Sequence, residues 1–207
     1  ECMALALKLS QFGRKAVGAN PMVGCVISRD DKIIAQDYHC TYGKAHAEIN
    51  ALEKINYKAE NTIVYITLEP CSHFGKTPPC TEALIKAKVN KVFVAMLDPN
   101  PLVSGRGVKA LQDSGIEVEV GLLEKEAQEI NRGFIKRMKS GLPFVTSKIA
   151  MSLDGRTAMK SGESKWITSE ASRKDVQILR SLNQAIMTGS GTIKSDNPMM
   201  TVRNENA

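Results

Sequence analysis

Residues 62–80 read Thr62-Ile63-Val64-Tyr65-Ile66-Thr67-Leu68-Glu69-Pro70-Cys71-Ser72-His73-Phe74-Gly75-Lys76-Thr77-Pro78-Pro79-Cys80. The first six are all β-branched or aromatic, so 62–67 is predicted as a strand. Pro70 ends it, and a helix is predicted over 81–88. Cys71 therefore follows a strand and Cys80 precedes a helix. Upstream, at the start of a helix predicted over 46–55, stands His46-Ala47-Glu48, with His46 25 positions before Cys71. One histidine and two cysteines supply three zinc ligands and leave the fourth tetrahedral position to water, the arrangement of a catalytic rather than a closed structural site. Zinc in such a site makes hydroxide available near neutral pH. Glu48 is then the general acid/base that moves protons between that water and a leaving amine. The positive end of the helix after Cys80 is expected to favour a thiolate at that residue.

This pattern departs from the usual zinc-deaminase signature, H-x-E followed by P-C-x-x-C. Here eight residues separate the cysteines. His73 and Lys76 lie in the long intercysteine loop, which has to border the metal pocket, and both loop structure and substrate contact fit them. Cys25 stands in an apolar run and is expected to be a core thiol, while Cys2 and Cys40 have no partner pattern. His39 precedes a loop and is expected to face solvent.

Working outward, apolar spacing predicts an opening helix over 1–16, a strand over 22–28, a turn over 29–32 and a second strand over 33–35. Beyond Cys80 come a strand over 91–95, a helix over 107–113, a strand over 116–120 and a helix over 123–139. Strands alternating with helices at these intervals predict a three-layer α/β domain around a parallel or mixed sheet. Gly141-Leu142-Pro143 breaks the last helix, so a boundary is placed there, giving domains 1–141 and 142–207. The second domain is predicted to hold strands over 144–150 and 185–188, a helix over 169–182 and a glycine turn at Gly189-Ser190-Gly191-Thr192. About 65 residues are too few for an independent core, so this domain is expected to be truncated.

The chain has 207 residues, 43% of them hydrophobic, and a formal net charge of +6. That composition excludes collagen-like, low-complexity and wholly disordered classes. No apolar run is long enough for a membrane helix. The start, Glu1-Cys2-Met3, has neither an initiator Met nor the marks of a signal peptide and reads as trimmed. Five cysteines are an odd number without paired spacing, which argues for a reducing cytosol over a secreted disulfide framework. The positive charge suits a phosphate-bearing small molecule, a polynucleotide or a solvated surface alike.

Several segments together carry a family resemblance: 20–26, His46-Ala47-Glu48, 69–80, Asp98-Pro99-Asn100-Pro101, Gly105-Arg106-Gly107, 152–156, 162–168, Asp196-Asn197-Pro198 and Thr201-Val202-Arg203. Over essentially its whole length the chain resembles the bifunctional deaminase/reductases of riboflavin biosynthesis. The resemblance implies a cytidine-deaminase-like domain followed by a partial dihydrofolate-reductase-like domain. It implies hydrolytic deamination of 2,5-diamino-6-ribosylamino-4(3H)-pyrimidinone 5′-phosphate and NADPH-dependent reduction of the ribosyl chain to ribityl, the latter in the complete parent protein.

By the same match zinc belongs to His46, Cys71 and Cys80 and the proton shuttle to Glu48, while Asn20, Lys76, Asp98 and Asn100 hold the pyrimidine or its phosphate. Ala150, Trp166, Thr192 and Asp196 fall on the NADPH side of the second domain, and Lys148, Ser164, Arg180, Met200 and Arg203 on its substrate side. The implied partner is a small pyrimidine ribotide in the cytoplasm, with no nucleic acid and no membrane; a homo-oligomer is compatible with this sequence. The alternative is a nucleoside or nucleic-acid deaminase of the cytidine/adenosine type. It has only the +6 charge in particular support, and aromatics at 5% leave little for a single-strand stacking channel. A zinc-stabilised scaffold without activity gives Glu48 no purpose.

Overall fold

Val26 and Ile27 point to opposite faces of strand β1 (Gly24–Arg29), yet both are fully buried. A strand with both faces covered requires helices above and below it. β1 lies inside a five-stranded sheet with β2 (Lys32–Tyr38), β3 (Ile63–Ile66), β4 (Lys91–Val94) and β5 (Glu117–Val120), in the order β2-β1-β3-β4-β5. β1 pairs antiparallel with β2 and β3, whereas β3, β4 and β5 run parallel. This computed structural model describes residues 1–75, 77–101 and 103–203.

Helix α1 (Cys2–Ser10) buries Met3, Ala6, Leu7 and Ser10, one stripe at helical spacing. It lies so close to β1 that a Cβ on Gly24 would come within 2.0 Å of the Ala6 carbonyl oxygen. The helix stops short of the predicted 1–16 and tightens into a 3₁₀ turn, Gln11–Gly13, where a poor helix former enters. Helix α2 (Ala47–Lys54) packs on β1 and β2, and α3 (Cys80–Lys86) stands between α2 and α4 (Arg106–Asp113). α5 (Glu124–Ile130) contacts α1.

The single helix predicted over 123–139 is two, because Asn131 interrupts it before α6 (Arg132–Ser140). Asn131 sits at φ −105°, ψ 17° and spends its side chain on Met22: the Met22 N–H donates to its Oδ1 at 2.8 Å and its Nδ2 donates to the Met22 carbonyl at 3.0 Å.

The chain divides into two compact units, Glu1–Phe144 and Val145–Ala207. The second contains α7 (Glu170–Ser181), N-capped by the Ser169 hydroxyl accepting from the Ser172 N–H, and α8 (Ser190–Asp196) at the predicted glycine turn. The strands predicted over 144–150 and 185–188 do not form: both segments are irregular. Among the described residues of this unit no strand is available to pair with either, and a lone extended segment gains no ladder hydrogen bonds. Val145 is accordingly 72% exposed and Met187 92%.

Candidate active site

Strand β3 delivers its chain end into a buried segment, Thr67 to Pro70, and Cys71 follows at the lip of the sheet. Cys80 is the first residue of α3, and His46 is the N-cap of α2. Two helix starts and one strand end thus converge. The His46 Nδ1 lies 3.2 Å from the Cys80 Sγ and 3.6 Å from the Cys71 Sγ, and all three donor atoms lie within 4.8 Å of one another. For ligands bound tetrahedrally to zinc at ordinary lengths, an S···N separation of about 3.5 Å is required. Two soft sulfurs, one imidazole nitrogen and these separations fit zinc; among the described residues no other such cluster occurs.

The helix N-terminus acts differently from the sequence expectation. The Cys80 N–H donates to the Cys71 Sγ at 3.3 Å, so the dipole's end serves the neighbour's sulfur and not its own. Cys71 is drawn down to about 4 by its hydrogen bond with the Cys80 side chain and then by His46, while Cys80 is pushed well above its usual range by the same pairing and by burial. The helix-start N–H therefore supports the Cys71 sulfur, and both cysteines stand as zinc-ligand candidates. His46 is raised, chiefly by its hydrogen bond with Cys71.

Glu48, in the first turn of α2, is 3% exposed, and its Oε2 meets no hydrogen-bond partner among the described residues. Burial pushes its carboxyl up to about 7. Glu48, His46, Cys71, Asn20, Asp98 and Asn100 line one cavity of about 320 Å³. The size is that of a small-molecule site. Asn20 anchors its own loop by donating from Nδ2 to the Val17 carbonyl at 2.9 Å, and Asp98 accepts the Asn100 N–H at 2.8 Å. Burial raises the Asp98 carboxyl above its ordinary value. His73 is exposed and lines the same cavity; Lys76 lies outside the described residues.

His39 does not face solvent as expected. It is 6% exposed, its Nδ1 meets the Ala45 carbonyl oxygen at 3.0 Å, and its ring stands edge-on to His46 with centroids 5.3 Å apart. The loop before α2 folds back over it, a contact invisible to local sequence. Cys25 is buried as expected, burial raising its thiol, and all five cysteines are free thiols.

Sequence reasoning missed Glu69 as a functional residue. Its buried carboxylate accepts four backbone N–H groups: Gly107 at 2.8 Å and Val108 at 3.3 Å on Oε1, Gly105 at 2.9 Å and Asp98 at 3.1 Å on Oε2. This clamp sets the loop that carries Asp98 and Asn100. A glutamate directly before Pro-Cys was the only available signal, and its partners lie 29 to 39 residues away. Missed too was the α6 face of Phe134, Arg137 and Met138, which closes the cavity.

In the second unit the sequence-matched residues are scattered. Lys148 and Ala150 stand on the irregular segment after Val145, Ser164 and Trp166 on another, and Thr192 and Asp196 on α8. Trp166 is 71% exposed, with the Arg173 guanidinium 4.3 Å from its ring centroid. Arg180 donates to the carbonyls of Met199 and Thr201, and the Arg203 N–H donates to Gln177 Oε1, so Arg180, Met200 and Arg203 are held in one neighbourhood. No hydrogen bond among the described residues joins Trp166, Thr192 and Asp196.

A mixed five-stranded sheet with a helix-borne His-Ala-Glu and two cysteines at its edge defines the class: a cytidine-deaminase-like zinc-binding domain. A family model described as "Cytidine and deoxycytidylate deaminase zinc-binding region" matches residues 1–96, and one described as "RibD C-terminal domain" matches residues 143–207. Over nearly its whole length the chain is similar to the RibD proteins of riboflavin biosynthesis. It is 53% identical over 201 residues to the riboflavin biosynthesis protein RibD of Escherichia coli (strain K12), covering 97% of this chain and 55% of that protein. To RibD of Bacillus amyloliquefaciens it is 48% identical, covering 97% and 54%.

The solved structure of Acinetobacter baumannii RibD, form 1, matches with a TM-score of 0.92 at 50% identity, over 98% of this chain and 57% of that one. A Thermotoga maritima structure described as a diaminohydroxyphosphoribosylaminopyrimidine deaminase/5-amino-6-(5-phosphoribosylamino)uracil reductase matches with a TM-score of 0.92 at 40% identity, over 99% and 59%. The chain thus spans about half the length of the curated relatives it matches.

Proposed function

We propose that residues 1–141 form a zinc-dependent deaminase acting on 2,5-diamino-6-ribosylamino-4(3H)-pyrimidinone 5′-phosphate, with water entering and ammonia leaving. The observation that carries this is the buried, unpartnered Glu48 Oε2 in the same cavity as a His-Cys-Cys donor set. The activities named for the Thermotoga maritima relative support the choice of substrate.

His46, Cys71 and Cys80 would hold zinc, which when bound supplies Lewis acidity that makes water a nucleophile near neutral pH. Glu48 takes the proton of the attacking water and returns it to the departing amine; being buried, it keeps that proton from bulk solvent. Asn20 can donate to or accept from ring substituents, and the Asp98 carboxyl can read ring amino groups. Both are fixed in place, Asn20 through Val17 and Asp98 through the Glu69 clamp. Lys76 in the intercysteine loop adds a point charge for the phosphate.

Residues 142–207 are proposed as part of a reductase domain whose NADPH chemistry belongs to the full-length family. Lys148, Ser164, Arg180, Met200 and Arg203 are its substrate side, and Ala150, Trp166, Thr192 and Asp196 its cofactor side. A cytoplasmic location is supported by the free cysteines. Among the described residues no helix is long and apolar enough to cross a membrane.

The test is to give the zinc-loaded chain the diaminopyrimidine ribotide and identify the products. Ammonia together with a product in which one amino group has become a carbonyl supports the proposal; release of ammonia from cytidine, adenosine or single-stranded nucleic acid instead would favour the alternative deaminase class.

A further inference from the structure

Arg137 lines the cavity that contains Glu48, together with Phe134 and Met138. These three residues stand at i, i+3 and i+4 on α6 and so share one face of the helix. The other cations of α6 are placed elsewhere. Arg132 pairs with Glu129 at 2.9 Å and lies over the Phe144 ring, while Lys136 and Lys139 are exposed. The Arg137 side chain makes no ion pair and no hydrogen bond among the described residues. Its Nε is buried without an acceptor, and its guanidinium lies 6.0 Å from the Phe134 ring centroid.

Among the described residues no acceptor is placed to satisfy that N–H. Of the lining carboxylates, Glu69 is saturated by four backbone donors, Asp98 accepts from Asn100, and Glu48 belongs to the metal centre. A buried donor left unpaired costs free energy that a ligand acceptor would restore. Arginine's planar fork matches a phosphate bidentately, which a lysine cannot do. α6 is also held in register with the Asn20 loop, since Asn131 at its head bonds both main-chain groups of Met22.

We propose that Arg137 is a substrate-specificity residue that grips the phosphate monoester of a ribotide in the Glu48 cavity. The proposal rests on the deaminase reading above and adds to Lys76 a second residue that distinguishes a ribotide from a riboside. Arg137 acts on binding; it moves no proton.

The experiment compares the zinc-loaded chain with Arg137→Ala and Arg137→Lys, using the diaminopyrimidine ribotide and its dephosphorylated riboside. Alanine is the best helix former, so α6 keeps its shape. In Arg137→Ala the KM for the ribotide should rise about 10- to 100-fold, the scale of a lost charge-assisted hydrogen bond. The kcat should change little, the riboside kinetics should match wild type, and Arg137→Lys should recover part of the loss. An unchanged KM for the ribotide, or an equal rise for both substrates, overturns the assignment.

A second readout does not need turnover. Ribose 5-phosphate should raise the unfolding midpoint of the wild type more than ribose does, and Arg137→Ala should lose that difference; a difference that survives in Arg137→Ala overturns the assignment. If the wild type shows the Arg137-dependent shift but releases no ammonia, the deaminase reading fails while Arg137 stands. Ammonia release with Arg137→Ala indifferent in both assays gives the reverse.

Discussion

The Gly107 N–H donates to Glu69 Oε1 at 2.8 Å across 38 positions of chain. A Cβ at position 107 would lie 2.0 Å from the Pro70 carbonyl oxygen, so only glycine lets the start of α4 rest against the segment that leads into Cys71. The metal-ligand segment and the loop bearing Asp98 and Asn100 are thereby one unit, joined by a single carboxylate.

Glu69→Gln is expected to break that unit without changing its size. An amide offers one oxygen where the carboxylate offers two, so its NH₂ confronts two of the four backbone donors. Hydrogen bonds to charged groups are worth about 1.5–3 kcal/mol each, and stability should fall by about 3 kcal/mol or more, measured by urea unfolding. An unchanged midpoint would show that the clamp is dispensable. Gly107→Ala should fall at least as far, because the obstacle is backbone.

Ligand and shuttle are expected to separate cleanly. Cys80→Ala should lose most of the zinc retained by wild type in elemental analysis. Glu48→Gln should keep zinc and fold while deamination drops by about 10²- to 10⁴-fold, the usual contribution of general acid/base catalysis. Full zinc occupancy in Cys80→Ala, or wild-type turnover in Glu48→Gln, contradicts the assignment concerned.

Asn131→Ala should free Met22 and with it the Asn20 loop. Two lost hydrogen bonds at about 0.5–1.5 kcal/mol each predict a loss of about 1–3 kcal/mol. The KM for the ribotide should rise as well, since the loop and α6 both border the cavity. Stability and KM both unchanged would show that the clasp holds nothing in place.

His39 sets an expectation for pH. Burial lowers it from its ordinary value of 6.5, so between the folded and unfolded values the unfolded chain binds the extra proton. The stability tied to neutral His39 is present above 6.5 and is lost as the pH falls from there toward the lower folded value. His39→Asn should therefore show a shallower fall in unfolding midpoint between about pH 7 and pH 5 than wild type. Parallel slopes would assign the acid sensitivity to other groups.

Much of this protein was legible locally. The strand over 62–67, the helices that begin at His46 and Cys80, and the sequence of strands and helices through residue 120 follow from side-chain periodicity, which depends only on near neighbours. The His-x-Glu and Cys-x₈-Cys spacing likewise named the donor set, because ligand type is a property of each residue. The second unit shows where periodicity stops. Segments 144–150 and 185–188 have strand composition, but a strand is made by the partner it pairs with, and none is described there.

Tertiary structure decided the rest. That Cys71 and not Cys80 receives the helix-start N–H depends on where two sulfurs lie, not on which residue opens the helix. His39 is buried by a loop folding over it, and Asn131 splits a helix to hold a residue 109 positions earlier. Glu69 reads as one more polar residue beside a proline until four distant N–H groups close on it. The physical reason is common to all of them: composition and spacing report forces between neighbours in sequence, whereas a buried charge or donor finds its partner only after the sheet has brought remote segments within hydrogen-bonding distance.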